Sequence, residues 1–174
     1  MERVLIVGCP GAGKSTAARS LANITGLPLV HLDRHYWKPG WVRPDRDEWR
    51  EKVQELVDRP RWIMDGNYGG SLDLRLPAAD TLIHLDFSTL VCGTRVLRRT
   101  WTGLGALRGD EFGEGCPERL DWDFLRFVMN YRRGQRQRDL ERMSLFKGDM
   151  LRFTSPRQLE AYLEDWRYGQ NNWL

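Results

Sequence analysis

The chain predicts an α/β fold, a parallel sheet covered by helices. Three observations carry that expectation. Short apolar, β-branched runs alternate with amphipathic stretches from the first residues onward, which is the pattern of strand–helix–strand units. The first such run leads into Gly8-Cys9-Pro10-Gly11-Ala12-Gly13-Lys14-Ser15, which fits G-x-x-x-x-G-K-[ST] and precedes a helical stretch. Later apolar runs end in carboxylates, Asp33, Asp65 and Asp86, and strand C-termini face the ligand in such sheets.

The elements follow in order. Residues 3–7 (RVLIV) form the first strand, and residues 15–24 form a helix whose apolar positions are Ala17, Ala18, Leu21 and Ala22. Residues 27–32 read as the second strand, entered through Gly26 and Pro28 and ending at Asp33. Residues 45–57 read as a helix capped by Asp45 with Glu48 three residues on, burying Trp49, Val53, Leu56 and Val57. The third strand is 61–65 (RWIMD), followed by a loop at 66–70, and the fourth strand is 81–86 (TLIHLD). A helix spans 88–101, and 103–117, rich in glycine and without periodicity, reads as a mobile loop. One long helix is expected over 120–142, with Leu120, Phe124, Phe127, Val128 and Tyr131 at helical spacing. The fifth strand lies within 145–153. A last helix opens at Ser155-Pro156 with Gln158 completing a capping box, burying Leu159, Tyr162, Leu163 and Trp166, and 169–174 is expected to fray.

Composition narrows the class. At 174 residues, 41% hydrophobic and 29% charged, the chain suits one soluble domain spanning 1–174. No apolar stretch approaches the ~20 residues of a membrane span. The sequence runs straight into its first strand, which leaves no room for a signal peptide. Cys9, Cys92 and Cys116 are odd in number and widely spaced, against a disulfide framework and in keeping with a reducing, cytoplasmic setting. The net charge of +3 does not imply nucleic-acid binding, and only 4 of the 27 basic residues are lysine, so a lysine at position 14 is telling.

In that strand–loop–helix context the backbone N–H groups of Gly8, Pro10-Gly11-Ala12-Gly13 and Lys14-Ser15-Thr16 form a phosphate cradle, proline lacking a donor and serving only to shape it. The following helix adds the partial positive charge of its N-terminus. Lys14 reaches the β- and γ-phosphates of ATP, and the Ser15 hydroxyl is a ligand for Mg²⁺. No N-K-x-D segment marks a GTPase, and the chain is short for a motor or transporter ATPase. Asp65 is placed to meet Mg²⁺, directly or through water. The run His31-x-Asp33-x-His35 would put three donors on one side of an extended strand, but no further cluster completes a metal shell. Tyr36, Trp37 and Trp41 form an aromatic cluster suited either to stacking on a ring or to packing under a loop.

The stretches HLDRHYWKPGW (31–41) and WIMDGNYGGSLDLRLPAADTLIHLD (62–86), in order after GCPGAGKS, resemble the DNA topology modulation proteins. That family is similar to the adenylate-kinase-like P-loop kinases, and the resemblance extends from residue 3 to about 166. It implies a three-layer sandwich, a P-loop NTPase fold with a five-stranded parallel sheet in the order 2-3-1-4-5. It further implies an acceptor-binding segment at about 34–58, a short lid at about 100–120, and ATP and Mg²⁺ as ligands. The implied activity is phosphoryl transfer to a small acceptor, such as a nucleotide or nucleoside. Asp65 looks like the Asp-Gly segment of adenylate kinases. In sugar- and shikimate-type kinases an Asp at the place of Asp33 touches the acceptor hydroxyl. A phosphate acceptor would instead call on Arg34, Arg43 or Arg75. The run RVLRRT looks like the start of an adenylate-kinase lid, and helical spacing favours Arg95 and Arg99 over Arg98 as transition-state contacts. Arg119, Arg132, Arg133 and Arg136 are expected to close on the phosphates, Arg132 and Arg136 from one face. The alternative is a nucleotide-binding regulator with a DNA or protein partner and little turnover, supported only by the six arginines and two acids of residues 126–142.

Overall fold

A computed structural model of the chain describes residues 1–103, 115–117 and 119–169. Five parallel strands form one sheet in the order β2-β3-β1-β4-β5, as the resemblance implies. They are β1 (Arg3–Gly8), β2 (Leu29–His31), β3 (Trp62–Asp65), β4 (Thr81–Leu85) and β5 (Asp149–Phe153). The register pairs Ile6 with Asp65 and Gly8 with Leu85, so the phosphate loop and the C-terminal ends of β3 and β4 emerge at one edge.

Alternation along β1 splits the core. Val4 and Ile6 pack with α1 (Lys14–Thr25), α5 (Thr89–Gly103), α6 (Trp122–Asn130) and α8 (Pro156–Arg167). Leu5 and Val7 pack with α3 (Arg46–Val57), α4 (Leu72–Ala78) and α7 (Gln135–Met143). The three layers are thus helices, sheet and helices. The β1 side chains at Val4, Leu5 and Ile6 are 0% exposed, as expected of a central strand covered on both faces.

The caps agree with the sequence signals. Asp45 accepts from the Asp47 backbone N–H and forms a capping box with Glu48. Ser155 accepts from the Gln158 N–H, while the Gln158 side chain reaches the N–H of Thr154, one residue before the cap. On α8, Leu159 and Tyr162 are buried and Leu163 and Trp166 partly so.

Three expectations are corrected. The chain turns helical at once after β2, in α2 (Leu32–Tyr36), so Asp33 lies on a helix and His31, Asp33 and His35 do not share an extended face. The segment after β3 is not only loop: a 3-10 turn (Gly69–Ser71) leads into α4, with Pro77 in its last turn. The long helix expected over 120–142 is two helices, α6 and α7, separated by a 3-10 turn (Tyr131–Arg133) and by Gly134. Of the lid expected at about 100–120, residues 104–114 and 118 lie outside the described residues, as do 170–174 of the tail.

Candidate active site

The phosphate loop joins β1 to α1, and two of its glycines, Gly8 and Gly11, are required by close approach. A Cβ on Gly11, at φ +84°, would stand 2.4 Å from the Cys92 carbonyl oxygen of α5. One on Gly8 would stand 2.4 Å from the Leu85 carbonyl oxygen. The Ala12 N–H donates to the Cys9 carbonyl (3.0 Å), closing the loop into a tight turn. Lys14 folds back over that turn, Nζ donating to the carbonyls of Gly8 (2.9 Å) and Cys9 (3.2 Å). Cys9 is buried, and the neighbouring Cys92 thiol together with burial pushes its pKa up, against the opposing charge of Lys14.

Asp65, at the end of β3, is 5% exposed, and its Oδ1 lies 2.6 Å from His31 Nδ1, which leaves Oδ2 for a cation or its water. Asn67 accepts from the Gly8 N–H through Oδ1 (2.9 Å), tying the loop after β3 to the phosphate loop. Tyr68 donates its phenol proton to Asp33 Oδ1. The fit to Mg²⁺ rests on Ser15 and Asp65, which line the same cleft. Among the described residues no group of three or more His, Cys, Asp or Glu could hold a metal on its own. That donor set suits a Mg²⁺ that keeps waters and phosphate oxygens as its other ligands.

These groups line a cleft of about 1440 Å³. Its floor is the phosphate loop from Pro10 to Thr16, and Asp33, Asp65, Trp37, Trp41 and Arg43 stand to one side. Arg95 and Arg99 of α5 line it as the spacing anticipated, and Arg98 does not. Arg95 donates to the Ala12 carbonyl (3.2 Å) and lies over Phe87, whereas Arg99 lies over Phe124. The guanidinium of Arg119 lies 5.6 Å over Trp41 and that of Arg43 5.8 Å over Trp37, so these indoles wall the cleft while Tyr36 packs inward on Trp49. Residues 38–42 also clasp the start of the segment before α6. Trp41 Nε1 donates to the Pro117 carbonyl (3.0 Å), the Gly40 N–H to that of Gly115 (2.9 Å), and Cys116 Sγ to that of Lys38 (3.4 Å).

Four arginines stand elsewhere than expected, two of them, Arg34 and Arg133, exposed and away from the cleft wall. Arg75 is fully buried on α4 and donates to the carbonyls of Gly66, Asn67, Tyr68 and Ser71, so it holds the loop after β3 and meets no acceptor. Arg136 pairs with Asp86 (2.7 Å), as does Arg152, and these two guanidiniums hold the Asp86 carboxyl down at about 2 although burial opposes them. Arg132 is exposed and does not line the cleft, but its charge is near enough to Cys9 and Cys92 to act on both thiols, which keeps it beside the phosphate loop. The break at Gly134 resets the helical phase and turns Gln135, Arg138 and Arg142 toward the cleft in place of Arg136. Arg142 donates to the Gly69 carbonyl (2.9 Å). The roles of Asn67, Tyr68, Gln135, Arg138 and Arg142 escaped the sequence reading. For Tyr68 a signal existed in the D-G-N-Y run.

No family model matches the chain. It is 40% identical to an adenylate kinase of Clavibacter michiganensis over 65 residues, 37% of this chain and 31% of that one. It is 34% identical to an adenylate kinase of Thermotoga maritima over 65 residues, 37% and 29% of the two chains. The matches therefore span less than a third of the length of those relatives. Across the whole fold it superposes on a shikimate kinase from Acinetobacter baumannii, solved in complex with shikimate, with a TM-score of 0.59 at 16% identity, covering 99% of this chain and 96% of that one. The fold is that of the P-loop kinases. A gluconokinase from Sinorhizobium meliloti shares the P-loop kinase fold with a TM-score of 0.51 and 16% identity, over 97% and 90% of the two chains. Among the described residues no helix of this P-loop kinase fold is long and apolar enough to cross a membrane.

Proposed function

We propose that the chain is an ATP-dependent phosphotransferase, acting on a small acceptor such as a nucleotide, a nucleoside or another hydroxyl compound. The observation that carries this is the shared cleft: Lys14 and Ser15 on its floor, Asp33 and Asp65 at one side, Arg95 and Arg99 at the other. The kinase names borne by its partial relatives and fold neighbours support the same reading.

The loop amides and Lys14 bind the β- and γ-phosphates, and Lys14 exchanges its present carbonyl partners for phosphate oxygens. Ser15 and Asp65 hold Mg²⁺, which when bound neutralises phosphate charge. Asp33 orients the acceptor. The acceptor oxygen forms a bond to the γ-phosphorus as the bond from that phosphorus to the β–γ bridging oxygen breaks, and ADP leaves with the electron pair. Arg95 and Arg99 offset the negative charge spread over the transferring group. The exclusion of water that such a cleft permits favours transfer over hydrolysis. The three cysteines, free and buried, suit a reducing cytoplasm.

The test is ADP production from ATP with Mg²⁺ against a panel of nucleosides, nucleotides and sugar acids, in the native chain and in Lys14→Ala. Stimulated turnover that Lys14→Ala abolishes, with folding intact, is expected. Equal turnover in the two refutes the assignment. A second reading, a nucleotide-dependent regulator that binds nucleic acid, draws on Arg126, Arg132 and Arg133, all exposed on α6 and the turn after it. It predicts DNA binding that weakens steeply with salt.

A further inference from the structure

Tyr68 occupies a backbone conformation that an aromatic residue rarely adopts, with φ +29° and ψ 64°. Strain of that kind persists only where the surroundings over-determine it. Here the Tyr68 carbonyl accepts from the Ser71 N–H (3.0 Å), the Ser71 hydroxyl (3.1 Å) and Arg75 Nη2 (2.9 Å). The ring is held between Tyr36 (centroids 4.4 Å apart) and Trp49 (5.1 Å). Arg75, with its charge fully buried, spends its donors on this loop. All of these contacts aim one phenol at one carboxylate, Asp33. Burial and the adjacent Asp33 charge push the Tyr68 pKa up, so the phenol stays a proton donor.

Resting on the phosphotransferase reading, we infer that Tyr68 is a positioning residue that fixes Asp33 toward the cleft and thereby selects a hydroxyl, rather than a phosphate, as the attacking group. A donated hydrogen bond favours the ionised carboxylate. An ionised carboxylate at the point of attack accepts a hydrogen bond from a neutral hydroxyl and repels a phosphate oxygen. In the step itself the hydroxyl oxygen bonds to the γ-phosphorus, its proton passes to Asp33, and the electron pair of the broken bond leaves with ADP. Asp33 later gives that proton to water. The product is a phosphate ester, whereas a phosphate acceptor would yield an anhydride.

The first measurement is hydrolysis of MgATP without added acceptor, water taking the place of the hydroxyl. It compares the native chain with Tyr68→Phe, Asp33→Asn and the double variant, with melting temperatures alongside. Tyr68→Phe keeps the ring and is expected to lower kcat about tenfold with KM for ATP within about twofold. The double variant is expected to match Asp33→Asn, because the tyrosine acts only through the carboxylate. An unchanged kcat in Tyr68→Phe, or losses that multiply in the double variant, overturns the role of Tyr68 and leaves the phosphotransferase reading standing. The second measurement offers nucleosides and nucleoside monophosphates to the native chain and identifies the product by ³¹P NMR. An ester supports the selection and an anhydride overturns it, and this arm decides should Tyr68→Phe not fold. A native chain that turns over no ATP with water or with any acceptor refutes the phosphotransferase reading and this inference with it.

Discussion

Replacing Arg75 by methionine keeps the apolar stem of the side chain and removes the guanidinium with its charge and donors. Arg75 is 0% exposed, and its Nη atoms donate to the carbonyls of Gly66 (2.9 Å), Asn67 and Tyr68 (2.9 Å), with a longer bond from Nε to Ser71 (3.4 Å). Burial draws its pKa down from 12.5 to about 10, so at neutral pH it remains a cation. Hydrogen bonds from a charged donor contribute about 1.5–3 kcal/mol each, which puts the three shorter ones at roughly 4–9 kcal/mol. Keeping a guanidinium dry costs several kcal/mol, and methionine removes that cost. The difference is a destabilisation of about 2–4 kcal/mol. For a chain of this size that lowers the melting temperature by about 4–16 °C. Thermal unfolding followed by circular dichroism measures it, and limited proteolysis between 66 and 71 locates the loosened segment. A change of less than about 2 °C would refute the reasoning and return Arg75 to the role of an acceptor ligand. Arg75→Lys is expected to rescue little, because one ammonium cannot span the carbonyls that the planar fork reaches.

Two further outcomes are expected. His84 is 0% exposed, neither ring nitrogen has a hydrogen-bond partner among the described residues, and burial lowers its pKa from 6.5 to about 4. Between those values the unfolded chain binds a proton that the folded chain refuses, so stability falls as pH drops from 6.5 toward 4, and pH-dependent melts of His84→Leu should flatten in that window. The Asp86 carboxyl, held at about 2 against its ordinary 3.8, titrates only below it and leaves the two effects separable. Gly11→Ala places a methyl 2.4 Å from the Cys92 carbonyl oxygen at φ +84°, and nucleotide titration should show ATP binding at least about tenfold weaker; unchanged affinity would contradict the tight seat of the loop against α5.

The phosphate loop, the strands and the outer caps were legible because their signals are local. A glycine pattern, a β-branched run or an Asp–Glu pair three residues apart acts within a few residues of itself. Arg95 and Arg99 were legible for a related reason, since they lie on one unbroken helix whose phase can be counted. Arg136 failed by the same counting, because Gly134 interrupts the helix and resets the phase. Arg75 misled because its partners are backbone carbonyls, which carry no side-chain signature in a sequence. The Asp33–Tyr68 contact joins residues 35 positions apart and depends on a backbone turn that sequence rules assign to glycine or asparagine.

The clasp between residues 38–42 and 115–117 has a mechanical consequence. The aromatic wall beside Asp33 and the approach to α6 are stitched by two hydrogen bonds from nitrogen and one from sulfur. At about 0.5–1.5 kcal/mol apiece, the three together come to about 1.5–4.5 kcal/mol. Displacing either segment from the cleft wall therefore means breaking those bonds or carrying the other segment with it. Trp41→Phe, which removes the indole donor, should loosen both segments together, read as faster limited proteolysis at 38–42 and at 115–117 alike.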